Sequence, residues 1–84
     1  MELSDKIRGF IIENFLFGDA APLTDDSLSL LDNGIMDSVG VMELVAWLEQ
    51  EHGLKVADQE LVPENFDSVA RLASYVQRKK DGGG

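Results

Sequence analysis

Asp37 and Ser38 are the pair of adjacent side chains best suited to chemistry. Asp-Ser is typical of a helix start, where the Asp side chain caps free N–H groups. A catalytic serine would need a base, and the only histidine, His52, follows 14 residues later. On one helix that spacing is about 21 Å, and no Gly-x-Ser-x-Gly elbow surrounds Ser38. We therefore predict that the chain is not an enzyme.

Other reactive patterns are weaker. Asp25-Asp26 could bind a divalent cation, but their spacing does not fit a calcium loop, and a solvated acidic face is the preferred interpretation. The absence of cysteine excludes disulfides, thiolate metal sites and cysteine nucleophiles. The glycines at 82–84 resemble the ends of small sulfur carriers and ubiquitin-like modifiers, but those are β-rich folds. We predict no metal site and a flexible tail.

Charge narrows the range of partners. The 84 residues include 16 acidic and 7 basic ones, for a net charge of −9, and residues 19–69 hold 12 of the acidic residues and one basic residue. Such a surface disfavours nucleic acid and anionic membranes, and it favours partners with basic surfaces. The hydrophobic share of 44% is that of a globular domain.

Targeting signals are not evident. The longest purely apolar run is only 44–48, and charged residues interrupt the N-terminal segment. We expect a soluble, cytoplasmic monomer without a membrane span.

Apolar periodicity predicts the elements that position these residues. It indicates helices over 3–17, 38–52 and 67–80, a short helical turn at 58–61 and no strand. Asp37 and Asp67 are suitable N-caps, and Gly53 is a suitable C-terminal stop. The predicted fold class is all-α, a small three-to-four-helix bundle with a long first loop at 19–37. We expect one domain over 1–80 and a flexible Gly-rich tail over 81–84.

The second predicted helix has two apolar faces. At 100° per residue, the core face is formed by Val41, Leu44, Val45 and Leu48. A second strip on the far side contains Val39, Met42 and Ala46, with Glu43, Glu49 and Gln50 on or beside it. Either the long loop covers this strip, or the strip is a docking surface with an acidic rim that faces a basic partner.

The run from Leu30 to Val45 resembles the attachment region of carrier proteins that bear a 4′-phosphopantetheine arm. The family has a Gly a few residues before Asp-Ser-Leu, followed by an amphipathic helix with Glu-Leu. Six residues occupy those places: Gly34, Asp37, Ser38, Val39, Glu43 and Leu44. The resemblance extends over about residues 3–79, and the order of elements matches as well.

The resemblance implies that Ser38 is the attachment serine. A phosphopantetheinyl transferase would move the arm from coenzyme A to its hydroxyl with help from Asp37, and the arm's thiol would carry acyl or aminoacyl groups as thioesters. A phosphodiester suits a helix start, where N–H groups and the dipole favour negative charge. The implied partner-binding residues are Val39, Met42, Glu43, Ala46, Glu49, Val56 and Asp58.

The implied role is that of a free-standing carrier in fatty acid, polyketide or related specialised biosynthesis. Its further partners would be an AMP-forming ligase and acyl-transfer or condensing enzymes. A pocket for the cargo is expected among core residues such as Leu44, Leu48, Val56 and Phe66.

Some positions depart from the family pattern. Val39 replaces the usual Leu, and Gly40 stands where fatty acid carriers have an acidic or other polar residue. Ile35 and Met36, between Gly34 and Asp37, are closer to D-alanyl and aminoacyl carriers. An aminoacyl or D-alanyl carrier is therefore an alternative, and an unmodified acidic adaptor is another.

Overall fold

Four α-helices and one 3₁₀ turn form the regular structure in a computed structural model that describes residues 2–82. The helices are α1 (Leu3–Phe15), α2 (Ser38–His52), α3 (Pro63–Phe66) and α4 (Val69–Asp81), and the 3₁₀ turn is Asp58–Glu60. No strand occurs between residues 2 and 82. The predicted all-α class is confirmed.

Helix α1 buries Ile7 and Ile11 completely, as its apolar spacing predicts. It ends at Phe15, two residues before the predicted end at 17. The reason is local: Phe17 has a left-handed backbone with φ of 54°, and the N–H of Gly18 donates to the carbonyl of Ile12 at 2.9 Å. This conformation cannot continue an α-helix.

Helix α2 has the predicted bounds. The Asp37 carboxylate accepts a hydrogen bond from the N–H of Gly40 at 2.8 Å, which caps the helix start. Gly53 ends the helix in the left-handed conformation, with φ of 67°. The face that carries Leu44 and Leu48 is fully buried.

The long loop between α1 and α2 packs on the helices. Its Leu23 and Leu30 are buried, as expected of a long loop in a small domain. Arg8 of α1 holds the loop through Asp26, at 3.0 Å, and through the carbonyl of Leu23, at 2.9 Å. The loop is therefore a fixed part of the fold.

The prediction that Asp67 caps the last helix is wrong. Ser68 is the N-cap of α4, and its hydroxyl accepts a hydrogen bond from the N–H of Arg71. Asp67 instead holds the long loop, since its carboxylate accepts from the hydroxyl of Ser29 at 2.8 Å and from the N–H of Leu31 at 2.9 Å.

Helix α3 is an element that the periodicity did not predict. Only four residues long, it begins with Pro63, which suits the first position of a helix. Its last residue, Phe66, is 2% exposed and joins the core. A single buried residue is too little for a periodic signal.

The chain ends are described only in part. Within the predicted tail at 81–84, Asp81 is the last residue of α4 and Gly82 caps it, whereas residues 83 and 84 lie outside the described residues. Among residues 2–82 there is no helix with the length and apolar character needed to cross a membrane.

Candidate functional site

Ser38 is exposed and is the first residue of α2. The first hydrogen bond of the helix runs from the N–H of Val41 to the carbonyl of Asp37, at 2.9 Å. The N–H groups of Ser38 and Val39 precede that bond, so they have no acceptor within the helix. The serine hydroxyl therefore lies at the positive end of a 15-residue helix dipole.

The residues just before Asp37 explain how the serine is presented. Gly34 has φ of 68°, which turns the chain so that the carbonyl of Leu30 accepts hydrogen bonds from the N–H groups of Ile35 (3.0 Å) and Met36 (3.2 Å). Ile35 and Met36 are 9% and 4% exposed. The two apolar residues of the motif thus anchor the turn in the core and leave Ser38 outside.

An apolar groove of about 540 Å³ opens beside Ser38. Its lining residues are Leu31, Ser38, Val41, Met42, Leu61, Val62, Pro63 and Phe66. Of the four residues that were expected to line a cargo pocket, only Phe66 lines this groove. Leu44 and Leu48 are 0% exposed within the core, and Val56 does not line the groove.

Sequence reasoning missed the far wall of this groove, which is formed by Leu61, Val62 and Pro63. The available signal was weak: an apolar pair between a short acidic turn and a proline. These side chains approach α2 only through the tertiary fold, so no periodic pattern marks them.

The second face of α2 is open. Val39 is 68% exposed, Met42 is 55% exposed, and Ala46 and Glu43 are exposed as well. The interpretation in which the long loop covers this face is therefore wrong. The structure contains an exposed apolar strip with an acidic side chain beside it, starting next to Ser38.

The other predicted partner-binding residues lie in different settings. Glu49 is half-buried, and its carboxylate accepts a hydrogen bond from the N–H of Val56 at 2.9 Å. Val56 is half-buried too, whereas Asp58 is exposed at the start of the 3₁₀ turn. Glu49 therefore stabilises the connector after α2, in addition to any role at the surface.

The histidine considered as a base for Ser38 is too far away. His52 is the last residue of α2, so it lies about 21 Å from Ser38 along the helix. Its ring packs edge-on against Trp47, with 5.3 Å between centroids. Burial, followed by the charges of Lys80 and Lys6, lowers the pKa of His52.

The Asp25-Asp26 pair does not converge on one point. Asp25 accepts hydrogen bonds from the hydroxyl and N–H of Ser27, which lower its pKa. Asp26 pairs with Arg8. In the part of the chain that the structure describes, no group of three or more possible metal ligands occurs.

The fold and site define a small helical carrier domain, with an exposed serine at a helix start beside an apolar groove. Residues 16–76 match the family model described as a phosphopantetheine attachment site. The chain therefore belongs to the phosphopantetheine-binding carrier family, and its prosthetic group is a covalently attached 4′-phosphopantetheine.

Curated relatives agree with this family. A probable acyl carrier protein of a Serratia species, PigG, is 35% identical over 78 residues, covering 93% of this chain and 88% of that protein. The acyl carrier protein of Thermotoga maritima is 32% identical over 78 residues, which cover 93% and 91%. The D-alanyl carrier protein of Abiotrophia defectiva is 31% identical over 55 residues, which cover 66% and 70%. Carriers of this kind work with a phosphopantetheinyl transferase and with partner enzymes.

Proposed function

We propose that the protein is an acyl carrier whose 4′-phosphopantetheine arm is attached to the hydroxyl of Ser38. The observation that carries this proposal is the exposed serine at the start of α2, on the rim of the apolar groove. When bound, the arm supplies a terminal thiol that holds acyl groups as thioesters. The chain, which contains no cysteine, supplies the attachment point and the docking surface.

The residues around Ser38 fit the phosphodiester of such an arm. The unpaired N–H groups and the dipole of α2 favour negative charge at this position. One carboxylate oxygen of Asp37 caps the helix by accepting a hydrogen bond from the N–H of Gly40. The second oxygen remains available to assist the transferase. The buried side chains of Ile35 and Met36 anchor the turn before Asp37 in the core.

The exposed strip formed by Val39, Met42 and Ala46 is the proposed docking surface for the transferase and the later partner enzymes. Glu43 lies beside the strip and would attract a basic surface, while Glu49 and the segment with Val56 and Asp58 would extend the contact. Charged rims of this kind act mainly on the rate of encounter. The proposal includes a cytoplasmic location, because the transferase draws on coenzyme A.

The groove favours an apolar acyl cargo. Apart from Ser38, its lining side chains are all apolar, and none is a carboxylate that could pair with the ammonium group of an aminoacyl cargo. The cargo would be delivered by an AMP-forming ligase or an acyl-transfer enzyme, and acyl-transfer or condensing enzymes of fatty acid, polyketide or related biosynthesis would accept it. The D-alanyl carriers among the relatives keep the aminoacyl alternative as a second candidate.

Intact-mass analysis tests the attachment. After incubation with coenzyme A and a broad-specificity phosphopantetheinyl transferase, the wild-type chain should gain the mass of one arm. Ser38→Ala should gain nothing, while Ser74→Ala, which alters an exposed serine of α4, should gain the arm like the wild type. An unchanged wild-type mass would favour the unmodified adaptor instead.

A further inference from the structure

The groove beside Ser38 has two walls that are held in different ways. One wall belongs to α2, which is anchored by buried residues along its length, among them Leu44 and Leu48. The other, called here the outer wall, is the segment Leu61–Pro63. Leu61 and Val62 are only half-buried, and the 3₁₀ turn before them contains no buried residue. Apolar burial therefore holds the outer wall less firmly than it holds α2.

Polar contacts centred on Glu60 hold the outer wall instead. Oε1 of Glu60 accepts hydrogen bonds from the N–H of Ala57 (2.9 Å), the hydroxyl of Tyr75 (3.0 Å) and Nζ of Lys79 (3.1 Å). The backbone carbonyl of Glu60 also accepts from Nδ2 of Asn65 at 2.9 Å. One residue thus ties the 3₁₀ turn and α3 to α4.

The contacts of the Glu60 carboxylate are charge-assisted and partly shielded from water. The Lys79 side chain is 15% exposed and that of Glu60 is 28% exposed, so the pair is less screened than an exposed one. The hydrogen bond from the N–H of Ala57 is the largest cause that lowers the pKa of Glu60, and the hydrogen bond from Lys79 is the next. Burial, followed by the bond to Glu60, raises the pKa of Tyr75 to about 12.

Tyr75 connects this network to the groove. Its side chain is buried, and its ring lies 5.2 Å from that of Phe66, which lines the groove. The same residue therefore packs behind the groove with its ring and holds Glu60 with its hydroxyl. A displacement of Glu60 would release the residues that follow it directly, Leu61 and Val62.

The geometry points to Glu60 as a positioning residue that holds the outer wall to α4 and so limits the size of the apolar group that fits beside Ser38. Without its carboxylate, the outer wall moves away from α2 and the groove admits bulkier groups. This inference deepens the proposed function, on which it rests for the identity of the occupant: the acyl cargo of an arm at Ser38.

Hydrogen exchange on the chain without an arm tests the positioning role. Glu60→Gln keeps the shape of the side chain but removes its charge. The amides of Ala57, Leu61 and Val62 should exchange roughly tenfold faster in this variant. Ala57 loses a charge-assisted hydrogen bond, and the 3₁₀ turn that holds the other two amides loses its connection to α4. Amides in the centre of α2, such as that of Leu48, should keep the wild-type rate.

The matched control is Glu64→Gln, an equal change in charge at an exposed residue of α3. It should leave the exchange of all these amides unchanged. Tyr75→Phe removes a single donor to Glu60 and should give a smaller acceleration at the same amides. Equal acceleration throughout the chain, α2 included, would show that Glu60 contributes only to global stability and would overturn the inference.

Binding of the neutral apolar dye N-phenyl-1-naphthylamine to the same unmodified proteins tests the groove itself. Glu60→Gln should bind the dye several-fold more tightly than the wild type and Glu64→Gln. Met42→Trp, combined with Glu60→Gln, should abolish the gain by filling the groove from the α2 wall. Equal affinity of Glu60→Gln and the wild type, or a gain that survives Met42→Trp, would contradict the inference.

Neither measurement involves the arm. Failure here would leave the mass gain at Ser38 intact, and failure of the mass gain would leave these results intact. The two proposals can therefore fail separately.

Discussion

Gly40 is the residue that allows the serine-bearing turn of α2 to lie close to α1. It is buried, and a Cβ atom at this position would lie 2.8 Å from Cε1 of Phe15 and 2.9 Å from Cγ of Met36. Distances below 3 Å are closer than packed carbon atoms tolerate. The absence of a side chain at 40, a departure from fatty acid carriers, therefore has a packing reason in this chain.

We expect Gly40→Ala to destabilise the protein by about 1–2 kcal/mol, because the overpacking outweighs the better helix propensity of alanine. Gly9→Ala is the matched control, since Gly9 lies within α1 and has nothing within 4 Å of the added atom. It should stabilise by up to about 1 kcal/mol. Urea unfolding of both variants measures the difference, and equal stabilisation by both would contradict the close contact.

At the level of elements, α2 has two separate tasks. Its buried face holds the core through Leu44 and Leu48, and its other face presents Val39 and Met42 to solvent. Exposed apolar side chains beside a carboxylate suit the binding of a partner, because the apolar centre gains from burial while the charge directs the approach.

We predict that Glu43→Lys slows arm transfer severalfold at low salt, because the exposed rim acts on encounter, and that added salt reduces this difference. Glu43 is a better choice than Glu49 for this test, because the carboxylate of Glu49 also accepts a structural hydrogen bond from the N–H of Val56. Glu13→Lys makes the same change in net charge at an exposed residue of α1 and should keep the wild-type rate. Equal slowing by both variants would indicate a net-charge effect, not a docking surface on α2.

The sequence predicts those features whose interacting residues are close together in the chain, and it misses those whose partners are far away in sequence. The bounds of α2 follow from Asp37 and Gly53, which act on their own helix, and the prediction of both was confirmed. Asp67 was assigned to the wrong task because its partners, Ser29 and Leu31, are more than thirty residues away in sequence. The outer wall of the groove was missed for the same reason.

At the scale of the whole molecule, acidic and basic residues occupy different parts of the sequence, and the fold brings some of the basic residues from the two ends of the chain near one another. The acidic residues concentrate in the middle of the sequence, whereas four of the seven basic ones follow residue 70. Lys6 of α1 and Lys80 of α4 both lie near enough to His52 to lower its pKa. Positive charges of α1 and α4 therefore both act on the end of α2 opposite Ser38.

The surroundings of His52 predict that this residue makes the stability of the fold depend on pH below 6.5. Its Nε2 is buried and lacks a hydrogen-bond partner among the described residues, so the folded state favours the neutral ring. Burial, then Lys80 and Lys6, lowers the pKa of His52 below its usual 6.5, while Glu51 opposes the shift. The unfolded chain therefore binds the proton more readily, and stability is lost as the pH falls below 6.5 toward the folded-state pKa.

The measurement is the melting temperature of the wild type and of His52→Gln between about pH 7.5 and about pH 5.5, a range that contains the usual pKa of histidine. The wild type should lose more on acidification than His52→Gln, which cannot titrate there. The carboxylates of Asp25 and Glu60 do not interfere. Folding lowers their pKa values below the usual 3.8 and 4.5, so the stability that they contribute is lost only below those pH values. Relief of acidic self-repulsion affects both proteins alike, so equal losses would mean that His52 titrates in the folded chain as it does in the unfolded one.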